Sequence, residues 1–588
     1  MRRLAPLSLR FALPCGVLFA LAACNGSNRV VAPVVDAPPP APIADTGLPG
    51  DPGVALAAID SAGLGAHIAE LASDRYEGRG TGTPGEALTV AYVAGRMEAL
   101  GLEGGAPDGT FFQRVPLRAT APVEVSPLTL LPIADADAVS LTFVEDFIVT
   151  TEQNVEAARF DRADLVFVGY GITNAAYDWD DYEGVDVAGK VLVMFVNDPP
   201  ATEAEPALFQ GDTLTYNGRW TYKYEEARRR GALGAFLIHT EPTASYPFTV
   251  LSGGARGEAL SVVAPPEGAL ALRGWITEGS ARQLAEMSGT TLEAWFAEAA
   301  TRDFQPRPLP VQVSLSASFT QRAGVTGTNV IGRLPGRTTP EEGIIYTAHH
   351  DHLGRDPELE ARGEDGIYNG AVDNASGVSM LLEIADAFVH LPQRPARSVY
   401  FATLTAEEEG LLGSEFLAAN PPIPLAYFIA DVNVDSGNLH GETEDLSGVG
   451  AERSEMLGLL RTAARSERMA VSPDTNPNAG RFFRSDQLAF ARGGVPAVFI
   501  GTGRRFVGRE DHYYEEVEAE YRQHRYHQPA DEYDPAAPLA GLIQQTRVAF
   551  RLGLSIADSE RRPRWRAGEP FGVTRAESER AAGLGPGR

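Results

Sequence analysis

From Gly327 onward, short apolar runs alternate with longer helical ones: Ile344 to Ala348, Val378 to Leu391, Ser398 to Leu404, Tyr427 to Val434, Ser454 to Ser466 and Pro496 to Ile500. This alternation predicts an α/β layer fold with a mostly parallel central sheet and helices on both faces. Open sheets of that kind place their crevices at the C-terminal ends of the strands. The polar motifs fall there. They read TAHHDHLG (Thr347 to Gly354), AVDNASG (Ala371 to Gly377), TAEEEGLLGS (Thr405 to Ser414) and NVDSG (Asn433 to Gly437), with YHQPADEYD (Tyr526 to Asp534) much later.

Together they supply well-separated imidazoles and carboxylates in the order His, Asp, Glu-Glu, Asp, His. Zinc takes His nitrogen and carboxylate oxygen and keeps a position open when catalytic. The set is the ligand inventory of a two-zinc hydrolytic site, which points to amide-bond cleavage. His349 follows an apolar strand, and Asp351 is placed to accept the free ring N–H of a metal-bound imidazole. His350 and His352 compete with His349, although strand alternation turns 350 away from 349 and 351. Asp373 sits where a carboxylate can bridge two ions; taken alone it reads as a helix N-cap. Glu407 and Glu408 are adjacent and diverge, so one can bind metal while the other faces water. Asp435 ends a strand, with Asp431 as its alternative. A lone His is usually structural, and only the neighbourhood HQPAD raises His527.

The chain has 588 residues, enough for several domains. A net charge of −28 argues against nucleic-acid binding. Arg2, Arg3 and Arg10 precede the apolar run Phe11 to Ala22, which is too short to span a bilayer. Leu21-Ala22-Ala23-Cys24 resembles the lipobox of bacterial lipoproteins. It implies a signal peptide over 1–23, lipidation of Cys24 and an exported protein anchored at the cell envelope only through its lipid. Cys15 and Cys24 are the two cysteines, so the mature chain would have no disulfide. The Pro/Ala-rich stretch 24–53 reads as a tether. Helical spacing runs from 55 to 73, and Thr83 or Glu86 opens a helix ended by Gly101. Residues of about 120 to 315 are strand-rich, with a helix from Tyr224 to Arg230. The stretch after Ile556 is polar and Arg-rich, an expected tail over 558–588.

Taken together, the motifs AHxDHLG, DNASG, AEExGLLGS, NxD and YHxPxDE resemble the two-zinc exopeptidases that include secreted bacterial aminopeptidases, glutamate carboxypeptidase and the transferrin-receptor ectodomain. GYG, DDY, and GK before an apolar strand resemble the protease-associated domain inserted in several exported peptidases. The resemblance implies a zinc-exopeptidase (phosphorylase/hydrolase-like) catalytic domain over 54–120 and 316–557, with the insertion at 121–315. It implies that His349, Asp373 and Asp435 hold one ion, that Asp373, Glu408 and His527 hold the other, and that Glu407 is the general base. Asp351 would support His349. It also implies a cis peptide between Asp373 and Asn374, and a substrate-side location for Arg484, Asp486 and Gln487; many relatives have His at the last of these. A hydroxide shared by the two ions would attack the N-terminal residue's amide bond in peptide substrates. The alternatives are a one-zinc glutaminyl cyclase, a carboxypeptidase using Arg481, Arg484 or Arg504, and a receptor-like binding module without activity. Oligomeric state and the preferred side chain are not legible.

Overall fold

A computed structural model describes residues 52–133, 137–244, 247–474 and 476–585. The expected signal segment, Cys24 and nearly all of the tether lie outside the described residues. Among those described, no helix is long and apolar enough to cross a membrane.

The middle of the central sheet is parallel. Its strands run in the order Arg397–Leu404, Thr339–His349, Phe428–Asn433 and Ala497–Gly501. The end of the long strand Arg307–Leu334 closes one side antiparallel, and Asp445–Val449 closes the other. Successive side chains alternate across a strand. Ile344, Tyr346 and Ala348 therefore join the core formed with helices Ser376–Val389 and Ala540–Ala557. Ile345 turns to the opposite layer, with Leu417 of Leu412–Ala419 and Phe490 of Gln487–Arg492. Helix Ser376–Val389 is buried along most of its length, as expected of a helix apolar nearly all round.

The expected helical run at 55–73 is two helices, Gly53–Ala58 and Ser61–Leu71. Asp60 interrupts it because its carboxylate accepts from Ala62 N and Gly63 N, an N-cap that restarts the helix. Thr83 caps Pro84–Ala99, and Gly101 leaves that helix at φ 75°.

The region from about 120 to 315 has its own apolar core, where Phe167 stacks on Trp295 with centroids 4.3 Å apart. It is less purely β than its sequence texture suggests. Strands Ala157–Phe167, Val191–Phe195, Gly234–His239 and Leu272–Thr277 pair in parallel. Helices Trp220–Arg229, Glu278–Met287 and Leu292–Ala299 accompany them. Nor does it stand apart: the described residues form one compact unit. Strands Phe112–Val125 and Arg307–Leu334 run from this region into the central sheet, bulged between Ser318 and Phe319 and between Ala323 and Val325.

The expected polar tail is docked through residue 585. It carries helix Pro570–Ala581, whose Phe571 is buried against Phe482. Trp565 Nε1 donates to Gly494 O at 2.8 Å. Two aromatic anchors outweigh the polar composition of this stretch.

Candidate metal centre

His349 is the last residue of its strand and is 1% exposed. Its Nε2 lies 3.1 Å from Asp373 Oδ1 and 3.4 Å from Asp435 Oδ1. His527 Nε2 lies 3.4 Å from Asp373 Oδ2 and 3.1 Å from Glu408 Oε2. Asp373 thus presents one oxygen to each imidazole. Two ligands of one tetrahedral ion, each at about 2.0–2.2 Å, stand roughly 3.4 Å apart, so both halves of this cluster have the spacing of a metal shell. Donor atoms of His349, Asp373 and Glu408 also lie within 4.8 Å of one another. Imidazole nitrogen and carboxylate oxygen without thiolate suit zinc among common divalent ions.

Apart from His349, which ends its strand, the donors come from segments outside the strands. Asp373 lies in the turn Ala371–Ala375 ahead of its helix, not at an N-cap, and the Asp373–Asn374 peptide is cis. Ala406, just before Glu407, and His527 both have positive φ, an uncommon state for non-glycine residues that recurs at functional sites. His527 closes the cluster on the solvent side, its side chain 34% exposed.

Support comes from beneath. Asp351 Oδ1 accepts from Glu407 N at 3.1 Å and its Oδ2 from Glu408 N at 3.3 Å. Its carboxylate stands 3.8 Å from His349 Nδ1, which is nearer the Asp351 carbonyl at 3.2 Å. Ser485 Oγ donates to Asp435 Oδ2 at 2.7 Å and accepts from Asn433 Nδ2 at 2.8 Å. Of the competing residues, His350 turns away to Thr403 Oγ1 at 3.2 Å. Asp431 Oδ1 accepts from Thr347 Oγ1 at 2.9 Å. His352 joins the cluster without replacing a donor: its Nδ1 lies 2.7 Å from Glu408 Oε1, leaving Oε2 toward His527.

Arg484 is exposed, whereas Asp486 and Gln487 are fully buried. Gln487 opens a helix with its amide turned inward, where its oxygen accepts from Asn433 and its nitrogen donates to Phe482 O, each at 2.8 Å. Those bonds tie its amide to Asn433, whose Nδ2 also donates to Ser485. Sequence reasoning left Asp531 without a role. Its carboxylate accepts from Val372 N and, at 3.1 Å, from Asp373 N. The signal was its place in the same HQPAD segment as His527.

Electrostatics separate the acids. Burial raises Asp373, but bonds to His349 and His527 outweigh it and hold its carboxyl well below the usual range. Burial and Asp373 push Glu408 up, yet His527 and His352 bring it down to about 2. Glu407 goes the other way: burial, with Glu408, Asp486 and Asp435 nearby, lifts it well above an ordinary glutamate against the pull of His349. Burial disfavours a charged His527, but Glu408 and Asp373 raise its pKa to about 10.

A buried imidazole–carboxylate cluster at the edge of a parallel α/β sheet is suited to hold a metal ion. The model of peptidase family M28 matches residues 329–549. Two curated relatives match shorter stretches. Aminopeptidase NAALADL1 of Mus musculus is 35% identical over 120 residues, 19% of this chain and 14% of the relative. A probable zinc metalloprotease of Pyrenophora tritici-repentis is 27% identical over 212 residues, 32% of this chain and 47% of the relative. The chain thus spans less than half the length of these relatives. Among solved structures it is similar to an aminopeptidase from Aneurinibacillus sp. strain AM-1, at 18% identity and TM-score 0.47, covering 88% of this chain and 98% of that one. It is also similar to a zinc aminopeptidase from Bacillus subtilis, at 17% identity and TM-score 0.41, covering 87% and 96%.

Proposed function

We propose that this chain is an exported zinc aminopeptidase. His349, Asp373 and Asp435 would hold one zinc ion, and Asp373, Glu408 and His527 a second. The observation that carries this reading is Asp373, whose two oxygens face two different imidazoles, each with a further carboxylate beside it. When bound, zinc supplies Lewis acidity, which makes water a nucleophile near neutral pH and polarises the scissile carbonyl. Glu407 takes the proton from the attacking water and delivers it to the leaving amine. Asp351 holds the Glu407–Glu408 turn by its two amides, so base and ligand keep their separation. The centre is most open on the His527 side, where its acidic surroundings would attract a free substrate α-amine. That favours removal of the N-terminal residue.

Export and lipidation of Cys24 belong to the same proposal and rest on the N-terminal sequence. The assignment of residues 160 to 270 as a protease-associated domain, which would restrict access to the crevice, is also part of the proposal and rests on the motifs GYG, DDY and GK. The test is metal content together with hydrolysis of aminoacyl-4-nitroanilides and their N-acetylated counterparts. Two zinc ions per chain and cleavage confined to the free-amine substrates are expected. Preference for C-terminal cleavage of N-blocked peptides would make it a carboxypeptidase. One zinc with glutamine cyclisation would make it a cyclase, and no metal uptake would sink all three readings.

A further inference from the structure

Arg79 is the most deeply enclosed cation near the site, 1% exposed, and it comes from outside the segment matched by the family model. Its guanidinium meets backbone oxygens. Nε donates to His350 O at 2.9 Å, one Nη to Leu71 O at 2.8 Å and Asn369 O at 2.5 Å, and the other Nη to Gly370 O at 2.8 Å. His350 lies between His349 and Asp351. Asn369 and Gly370 lead into Asp373. One rigid plane therefore ties the loop that presents the first imidazole to the loop that presents the shared carboxylate.

The fit around it is close. Gly370 takes φ 53°, and a Cβ there would stand 2.8 Å from an Arg79 Nη and 2.6 Å from the His352 ring. A Cβ on Gly78 would stand 2.1 Å from Gly354 O. Asn369 Nδ2 donates to Asp74 Oδ1 at 3.0 Å, and Gly354 N donates to Gly78 O at 2.9 Å. The turn from Asp74 to Gly80 is thus wedged between both loops. Burying a guanidinium is costly unless its donors are satisfied. Here four of its five N–H groups find carbonyl partners, and the cation sits near Asp531, Asp373, Asp351 and Glu408. Lysine offers three donors from one point and cannot span this set of oxygens.

The geometry points to Arg79 as a positioning residue that sets the separation of His349 and Asp373, and through it the zinc affinity of the centre. This rests on the metal reading above. Mutation of groups that orient metal ligands typically costs about 10–100-fold in metal affinity.

The experiment is a zinc titration of metal-free wild type and Arg79→Lys against a competing chromophoric chelator, with circular dichroism as the check on folding. Folded Arg79→Lys should bind zinc about 10–100-fold more weakly than wild type. Equal affinity in the folded variant would reduce Arg79 to a fold-stabilising role and overturn the inference. If wild type itself takes up no zinc, the metal reading fails first, and that outcome is distinct. Should Arg79→Lys not fold, Arg79→Ala refolded with ethylguanidinium takes its place. Recovery of zinc affinity on adding the guanidinium supports positioning; recovery of the fold with wild-type affinity after the guanidinium is dialysed away overturns it.

Discussion

Glu407 and Glu408 are neighbours in sequence with opposite electrostatics. Two imidazoles pull Glu408 down to about 2, whereas burial and nearby carboxylates lift Glu407 well above the ordinary value. Acids whose surroundings push them apart in this way divide naturally into ligand and base. Cations bound beside Glu407 would reverse its upward shift and leave it ionised for proton transfer. Glu407→Gln should therefore keep its zinc and lose about 10²–10⁴ in kcat. Glu408→Gln should lose zinc. If the two variants exchange phenotypes, the assignment is reversed. The imidazoles give a second prediction. Free of metal, His527 holds its proton up to about pH 10, and the Glu407, Asp435 and Asp373 carboxylates raise His349 against burial. Metal requires neutral imidazole, so zinc binding near pH 7.5 must expel protons, and affinity must rise with pH. Calorimetry in two buffers of different ionisation enthalpy should give different heats; identical heats would show that no proton leaves.

The elements that carry the site were largely legible in the sequence, because apolar runs bounded by polar motifs leave little freedom in where a buried strand begins and ends. Strand Phe428–Asn433 and helix Ser376–Val389 fall within a few residues of their sequence ranges. Partnerships between distant elements were not legible. His352 finds Glu408 and Arg79 finds Gly370 only after the chain has folded. Asp60 escaped notice because apolar spacing continues through it, while the capping bonds depend on one side-chain rotamer. Glu383 is another hidden pairing. It lies on helix Ser376–Val389, facing the start of Ser61–Leu71, where a Cβ on Gly63 would stand 2.2 Å from its Oε1. Burial, with Asp386 and Asp60 nearby, raises Glu383 to about 7. A carboxyl whose folded pKa lies above its unfolded value of about 4.3 stabilises the fold below that value and loses the contribution as pH rises through 7. Glu383→Gln should thus raise stability at pH 8, on the order of 3 kcal/mol, and change it little at pH 4. Urea unfolding at the two pH values measures the difference. Equal effects at both would show that ionisation of Glu383 plays no part. His67, held near 4 by burial and Arg96, has the opposite dependence, losing stability as pH falls from 6.5.

At the scale of the molecule, the question is whether the region from 120 to 315 can act apart from the rest. Its contacts argue that it cannot. Leu214 and Tyr216 pack with Phe482, Phe483 and Leu411, next to the segment that carries Ser485. Arg492 pairs with Glu225 at 3.1 Å and Glu415 at 3.2 Å, linking the two halves. Leu260 N donates to Glu409 Oε2 at 2.9 Å, one residue beyond Glu408. The ion pairs are partly exposed and contribute little, with a typical value of about 0–1 kcal/mol each. The apolar seam and the two shared strands dominate. Excision of residues 121–315 would sever both strands and uncover Phe482 and Phe483, so a simple deletion should yield aggregated protein. A smaller change tests coupling directly. Leu214 is buried, and Leu214→Ala should cost about 2–5 kcal/mol. If the described residues unfold as one unit, calorimetry of the metal-free protein should show a single transition, and Leu214→Ala should move all of it to lower temperature. Two transitions, with only one displaced, would mean that the region folds on its own and can swing over the crevice.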